Sequence, residues 1–250
     1  MRFGPMGNLS HGEYIDSFTA DAAAIRDVFV KAVPELSVPA TPEWDLGRLV
    51  KHIGTVFVWG TAVVEQRPER VDPRSLDIGL PEERSDYGEW LVRAASKAAA
   101  VMSAADPSDD CWSWGADSHA VFWSRRLANE IGVHRWDVQS AFGDPDPIAP
   151  QLAADGLDEI LENLTFRPDT DLRGVGERLH LHATDCDGEW LITLGAEGVE
   201  FKHEHAKGDV AARATASDLL LLILGRVAPS SIETFGDVEQ LDRWQQRLKF

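Results

Sequence analysis

The stretch GDPDPIAP, residues 143–150, constrains the fold more than any other part of the 250-residue chain. It combines one glycine with three prolines, and prolines at that density end a helix and prevent another from running through. Apolar residues recur at helical spacing before it, whereas short alternating runs separated by Gly turns follow it. We therefore expect two domains, residues 1–148 and residues 149–250.

Four long helices are predicted before this stretch, and together they indicate an up-and-down four-helix bundle. Thr41 is expected to cap the second of these helices, with Pro42 in its first turn. The four patterns cover Tyr14–Val33, the segment from Thr41 to Gln66, about 83–105 and about 117–141.

The second domain is expected to be a smaller α+β unit, which makes the whole chain an α+β protein. A helix at 149–166 precedes the runs ERLHLHATD, EWLITLG and GVEFKHE, which alternate as the strands of an antiparallel sheet do. Two more helices are predicted after them, one near TASDLLLLILGRV with Thr215 or Ser217 at its start, and one over 237–248.

Charge and composition exclude several classes of partner. Lys and Arg total 24 against 42 Asp and Glu, a formal net charge of -18 that repels phosphate backbones and anionic lipid. No apolar run approaches the ~20 residues that span a bilayer. We expect a cytoplasmic protein, a monomer or small homo-oligomer, with no nucleic-acid or membrane partner. Cys111 and Cys186 are expected to be reduced and buried rather than bridged.

Polar residues interrupt the apolar stripes of two bundle helices. Residues three or four positions apart lie on the same face of a helix, so these polar residues are expected to face the core with their apolar neighbours. Burying an unpaired carboxylate costs several kcal/mol, so the polar residues need partners. The stripe of the second helix contains Leu49, His52, Val56, Trp59 and Val63, and that of the fourth contains Trp123, Leu127, Glu130, His134, Asp137 and Ala141.

A divalent metal ion would satisfy these groups, because two imidazoles and one carboxylate form a common catalytic zinc set with an open fourth position. The candidate ligands are His52, Glu130 and His134, and Asp137 can orient a ligating imidazole. Two other interpretations remain open. Each histidine can be a hydrogen-bonded core residue, and Glu130 with His134 can be a solvated pair one turn apart.

The stretches PATPEWDLGRLVKHIG, RRLANEIGVHRWDVQSAFGDPDPI and QLAADGLDEIL resemble the mycothiol-dependent maleylpyruvate isomerase family. Its members join a DinB-like four-helix bundle to a C-terminal domain related to sterol carrier proteins. The family motifs fall at Pro42 (shifted by one), Trp44, Leu49, His52, Glu130, His134 and Asp137. A cysteine that is frequent at the entry to the second helix is missing, and Thr41 and Glu43 stand near that place.

The resemblance implies that His52, Glu130 and His134 hold zinc or another divalent ion, with mycothiol as the thiol cofactor. It implies that Arg226 contacts an anionic substrate or the thiol, although this arginine can equally cap a helix C-terminus. Arg226 and Asp137 are thus the candidate catalytic residues. The implied chemistry is addition of the thiol to a small electrophile, which yields a cis-trans isomerase or an S-transferase. The alternatives are a non-enzymatic small-ligand-binding protein and a DinB-like metal hydrolase that needs no thiol.

Three further groups of residues are weighed. Aromatic and polar residues that precede Glu130 and His134 along the chain can line the mouth of a pocket, but packing in the core is the favoured role. His180 with His182 and His203 with His205 alternate on predicted strands, yet neither pair has an evident third ligand. His11 is expected to be solvated. The first of these groups, in the stretch DCWSWGADSHAVFW, consists of Cys111, Trp112, Trp114, His119 and Trp123.

Overall fold

The computed structural model describes residues 9–166 and 172–247 of the chain. Within these ranges the chain forms two compact units, Leu9–Asp146 and the segment that begins at Pro147. No helix in the two ranges is long and apolar enough to cross a membrane. The predicted DinB-like and sterol-carrier-like identities of the two domains stay predictions.

The first unit contains the four long helices that the periodicity predicts. Ser10 and Glu13 cap the first of them reciprocally, each side chain accepting a hydrogen bond from the other residue's backbone N–H. Their apolar stripes meet in a core in which Phe18, Phe57 and Leu127 are fully buried. The helices are α1 His11–Phe29, α2 Leu46–Gln66, α3 Tyr87–Ala104 and α4 Val121–Ser140.

The start of α2 differs from the prediction, because Asp45 and not Thr41 is its N-cap. The Asp45 carboxylate accepts a hydrogen bond from the backbone N–H of Arg48 at 2.8 Å. Upstream, the Trp44 backbone N–H donates to the Thr41 carbonyl at 2.8 Å, which closes a turn over residues 41–44. Pro42 therefore lies in this turn and not in the first turn of the helix.

The second unit places a five-stranded sheet among three helices, which confirms the mixed helical and sheet class. The strands are ordered β3-β2-β1-β4-β5. The pairings of β1 with β2 and of β2 with β3 are antiparallel as predicted. The strands β4 and β5, which were not predicted, pair antiparallel with each other, and β4 runs parallel to β1. The elements are α5 Pro150–Phe166, β1 Glu177–Ala183, β2 Glu189–Gly195, β3 Gly198–Lys202, β4 Val210–Ala214, α6 Ala216–Ile223, β5 Glu233–Gly236 and α7 Glu239–Arg247.

Alternation along β1 and β2 separates an apolar face of the sheet from a polar one. Leu181, Trp190 and Ile192 are fully buried, and the Trp190 indole donates to Asp158 on α5 at 2.6 Å. The intervening residues point to the opposite face because side chains alternate along a strand. His180 and Glu189 lie on that second face.

Candidate metal centre

His52, Glu130 and His134 come together between two helices of the first unit. Their ligand atoms all lie within 4.8 Å of one another. Glu130 Oε1 is 2.9 Å from His52 Nε2 and 3.4 Å from His134 Nε2. Among the residues in the described ranges, this group contains these three side chains and no fourth ligand.

Helical spacing and close helix packing together build this convergence. Glu130 and His134 are one turn apart on α4, so they share a face, whereas His52 arrives from α2. The two helices approach closely at Gly60, where a Cβ atom would lie 3.0 Å from Cε3 of Trp123. Because Gly60 has no side chain, α2 can pack close to α4, and the His52 imidazole lies within contact distance of Glu130.

Asp137 determines which nitrogen of His134 faces the group. Its carboxylate is fully buried and accepts a hydrogen bond from Nδ1 of His134 at 2.8 Å. With Nδ1 as the donor, Nε2 of the neutral ring carries the lone pair and faces Glu130. This is the arrangement in which a carboxylate orients a histidine that binds a metal.

Arg126 belongs to the same group, although it is not among the site residues predicted from the sequence. Its guanidinium forms an ion pair with Oε2 of Glu130, which leaves Oε1 facing the two imidazoles. The guanidinium carbon also lies 5.7 Å from the centre of the Trp114 ring. The spacing in the sequence could have identified Arg126, because it precedes Glu130 by four residues, which is one helical turn.

Trp44 packs against the half-exposed histidine of the group. Its ring centre lies 5.1 Å from that of His52, and the Arg48 guanidinium carbon lies 4.9 Å from the centre of the Trp44 ring. This contact explains why a tryptophan accompanies the histidine in the sequence motif. It limits the directions in which the His52 imidazole can turn.

Neighbouring charges, rather than burial, determine the protonation states of Glu130 and His134. Burial alone would raise the pKa of Glu130, but Arg126 and His134 hold the pKa of that carboxyl well below its usual range. Burial likewise opposes protonation of His134, yet the Glu130 and Asp137 carboxylates outweigh it and raise the pKa of this imidazole to about 9. In the metal-free protein, a proton therefore occupies a place that a cation could take.

The donor set suits a divalent ion of the zinc type. Four ligands about 2.0 Å from a tetrahedral ion are separated from each other by about 3.3 Å. The two distances from Glu130 Oε1 to the imidazoles bracket that value, at 2.9 and 3.4 Å. The Glu130 and His134 side chains are each 11% exposed, so the interpretation as a solvated pair is wrong.

Arg226 lies in the second unit, just after α6. Its Nη1 donates to the carbonyl of Leu224, the C-cap residue of that helix, at 2.9 Å. Gly225 between them has φ +73°, the left-handed conformation in which helices commonly end. The capping contact is thus present, and the contact with a substrate or thiol stays a prediction.

Other residues considered from the sequence have structural roles. Trp123 and Cys111 are buried, and Trp123 contacts Trp59 with ring centres 4.9 Å apart, so core packing is confirmed for them. The expectation of a solvated His11 is wrong. This imidazole is half-buried because it bridges Ser124 Oγ and the Met102 carbonyl, at 2.8 and 2.9 Å.

Of the four histidines of the second unit, His180 and His182 lie on β1 as predicted, whereas the other two do not lie on a strand. β3 ends at Lys202, so His203 and His205 lie beyond the strand. His203 faces Asp158 at 3.2 Å, whereas His205 contacts Glu189 at 2.8 Å. Glu189 is a carboxylate close to these imidazoles that the strand pattern alone did not show.

Family models match both parts of the chain. The mycothiol maleylpyruvate isomerase N-terminal domain matches residues 15–139, and the C-terminal domain of the same family matches residues 151–243. The chain belongs to this family. The N-terminal match spans the bundle that contains His52, Glu130 and His134. No curated protein matches the chain's sequence.

Solved structures of the isomerase share the fold. A crystal structure of the mycothiol-dependent maleylpyruvate isomerase superposes with a TM-score of 0.64 at 11% identity, covering 93% of this chain and 95% of that chain. The structure of a histidine-to-alanine mutant gives 0.65 at 9% identity with the same coverage. At such low identity these similarities establish the fold.

Proposed function

We propose that this protein is a mycothiol-dependent metalloenzyme, a cis-trans isomerase or S-transferase acting on a small electrophile. His52, Glu130 and His134 would hold its divalent ion, for which zinc is the preferred candidate. The convergence of these three donors from α2 and α4 within 4.8 Å is the observation that carries the proposal. The chain belongs to the mycothiol maleylpyruvate isomerase family, and this membership supports mycothiol as the thiol and isomerisation as the reaction.

When bound, the ion would supply a position where a thiol is held as a thiolate at neutral pH. The protein's own residues prepare that position. Glu130 is kept ionised, Asp137 holds the His134 ring so that Nε2 points inward, and Arg126 retains the second carboxylate oxygen. Three protein ligands, in place of the four of a structural zinc site, favour catalysis.

The chain's own thiols are poor nucleophiles, which supports an external thiol. Burial raises the pKa of Cys111 to about 11, with Arg67 opposing the shift and Asp109 adding to it. Burial, together with Asp185 and Asp187, also raises the pKa of Cys186. Since the thiolate is the reactive form, neither cysteine is activated.

Arg226 is proposed to bind the anionic group of the substrate or of mycothiol. A guanidinium is always charged and presents donors that match a carboxylate. We expect Arg226→Ala to raise KM for the anionic partner while the protein keeps its metal. Arg226→Lys should recover part of the loss because it restores the charge without the planar donor set.

The test compares metal content and thiol dependence in one set of proteins. Wild-type protein should retain one ion in the bundle and convert maleylpyruvate, or conjugate an electrophile from a panel, only when mycothiol is added. His134→Ala should lose that ion and the activity. His119→Ala is the matched control, because His119 is an exposed histidine outside the group and its imidazole forms an ion pair with Asp117.

Two outcomes would replace the proposal. Hydrolysis of a substrate by the metal-loaded protein without any thiol would identify a DinB-like hydrolase. A small ligand bound without turnover, in a protein whose His134→Ala variant keeps the same metal content, would identify a binding protein.

A further inference from the structure

A second group of imidazoles and a carboxylate lies on the polar face of the sheet in the second unit. It comprises His180 on β1, Glu189 on β2 and His205 in the segment after β3. Their ligand atoms all lie within 4.8 Å of one another. None of these residues belongs to the bundle, so the group is independent of the function proposed above.

Strand register explains why Glu189 joins the histidines. β1 and β2 pair antiparallel with His182 opposite Glu189, so Glu189 shares a sheet face with His182 and with His180 two residues earlier. Nδ1 of His182 is 2.6 Å from Glu189 Oε1. The segment after β3 returns past this hairpin and brings Nδ1 of His205 to 2.8 Å from Oε2 of the same carboxylate.

The buried member of the group has an unsatisfied nitrogen. His180 is 8% exposed, and among the described residues its Nε2 has no hydrogen-bond partner. Oε2 of Glu189 lies 3.6 Å from this nitrogen, beyond hydrogen-bond distance. A buried polar atom without a partner costs about 1–3 kcal/mol, so such an atom calls for an explanation.

The distances around Glu189 suit an ion at this place. Donors that share a tetrahedral zinc are about 3.3 Å apart, because each lies about 2.0 Å from the ion. Oε2 of Glu189 lies 2.8 Å from His205 Nδ1 and 3.6 Å from His180 Nε2. An ion between the three would give the His180 nitrogen the partner that it lacks.

We propose that His180, Glu189 and His205 form a second site for a divalent ion of the zinc class. Imidazole and carboxylate donors are those that zinc prefers. His182 positions the carboxylate through Oε1 and leaves Oε2 to the ion. Because the ligands lie on β1, on β2 and beyond β3, a bound ion ties the 203–209 connection to the hairpin.

The experiment counts zinc equivalents in the full-length protein and measures thermal unfolding with and without zinc. It is carried out in a His134→Ala background, which removes the ion proposed for the bundle. His205→Ala is the primary variant because the His205 side chain is 78% exposed, so its loss should not disturb folding. Glu189→Gln is the second variant, and His119→Ala is the control for loss of an exposed histidine.

The expected result is one zinc equivalent and a zinc-dependent rise in Tm in the His134→Ala protein. Both should persist in the His119→Ala control and disappear with His205→Ala and with Glu189→Gln. Retention of the same zinc content in both of those variants overturns the proposal, as does the absence of zinc from the His134→Ala background. Since each site has its own variants, failure at one site is distinguishable from failure at the other.

Discussion

At the scale of single residues, the contact between Asp137 and His134 decides how the bundle group can bind an ion. The buried carboxylate fixes the ring through Nδ1 at 2.8 Å and raises the pKa of the imidazole together with Glu130. The same contact therefore directs the lone pair and strengthens the basicity of the nitrogen that faces Glu130. Both effects should be measurable.

Asp137→Asn should lower the zinc affinity of the bundle site by about 10- to 100-fold, because it removes a carboxylate that holds a ligand without binding the ion. A competition titration against a zinc chelator measures the change. Asp117→Asn is the matched control, because Asp117 bonds Nδ1 of the exposed His119 at 2.6 Å in the same manner. Equal affinities for the two variants would contradict the positioning role of Asp137.

The zinc affinity of the bundle site should rise with pH. Since the pKa of His134 is raised to about 9 in the metal-free protein, a proton must leave this imidazole before an ion binds at neutral pH. Displacement of one proton predicts about a tenfold gain in affinity per pH unit up to that pKa, and no further gain from His134 above it.

Chelator-buffered titrations from pH 6.5 to 9.5 measure this slope. Asp137→Asn should move the upper limit of the rise to lower pH, because it removes one of the two carboxylates that raise the pKa. An affinity that stops rising near the ordinary imidazole pKa of about 6.5 would show that His134 does not carry the proton.

At the scale of elements, the close approach of α2 to α3 holds the helix that carries His52. A Cβ atom at Gly54 would fall within the van der Waals radius of the Trp90 ring. This ring cannot easily move away, since its indole donates to the Ile78 carbonyl at 2.9 Å and Trp90 is 4% exposed. The small residue at Gly54 is therefore a packing requirement of the bundle.

Gly54→Ala should lower the free energy of unfolding by about 1–3 kcal/mol, because the added methyl overfills the contact. Gly12→Ala is the matched control on α1, where a Cβ atom meets nothing within 4 Å and alanine favours the helix. Denaturant unfolding of both variants measures the difference. Equal stability of the two would show that Trp90 yields to the methyl group.

At the scale of the whole molecule, each unit contains one cysteine in surroundings that keep its thiol protonated, although only Cys111 is buried as predicted. Cys111 lies in the bundle and is 2% exposed, while Cys186 is half-buried between β1 and β2. Their raised pKa values predict slow reaction of the native protein with a thiol-specific reagent at pH 7, and fast reaction after unfolding.

The double variant Cys111→Ala, Cys186→Ser should keep the proposed mycothiol-dependent activity, because in that proposal the nucleophile is an external thiol. Initial rates with saturating mycothiol give the comparison, and rapid labelling of unfolded wild-type protein is the control for reagent quality. Loss of turnover in a folded double variant would assign the reaction to a cysteine of the chain. Rapid labelling of the native protein would contradict the raised pKa values.

Element types could be predicted from the sequence, but several element ends and pairings could not. Helical periodicity located α1–α4, and alternation located β1–β3. Asp45 replaced Thr41 as the cap of α2 because the turn over 41–44 depends on backbone hydrogen bonds that local propensity does not reveal. β4 and β5 have the sequences VAARA and ETFG, each with a single large apolar residue, so no alternation stands out in them, and β4 reaches β1 in a parallel pairing.

By itself the sequence determined the two regions, the helices of the bundle and the polar interruptions of their stripes, because these depend on spacing along one chain. Only the tertiary structure decided which of these polar residues lie in contact with each other. His52 and Glu130 are 78 positions apart, and Glu189 joins His180 and His205 through strand register and a returning loop. Such meetings depend on packing and pairing between distant segments, and no local pattern encodes them.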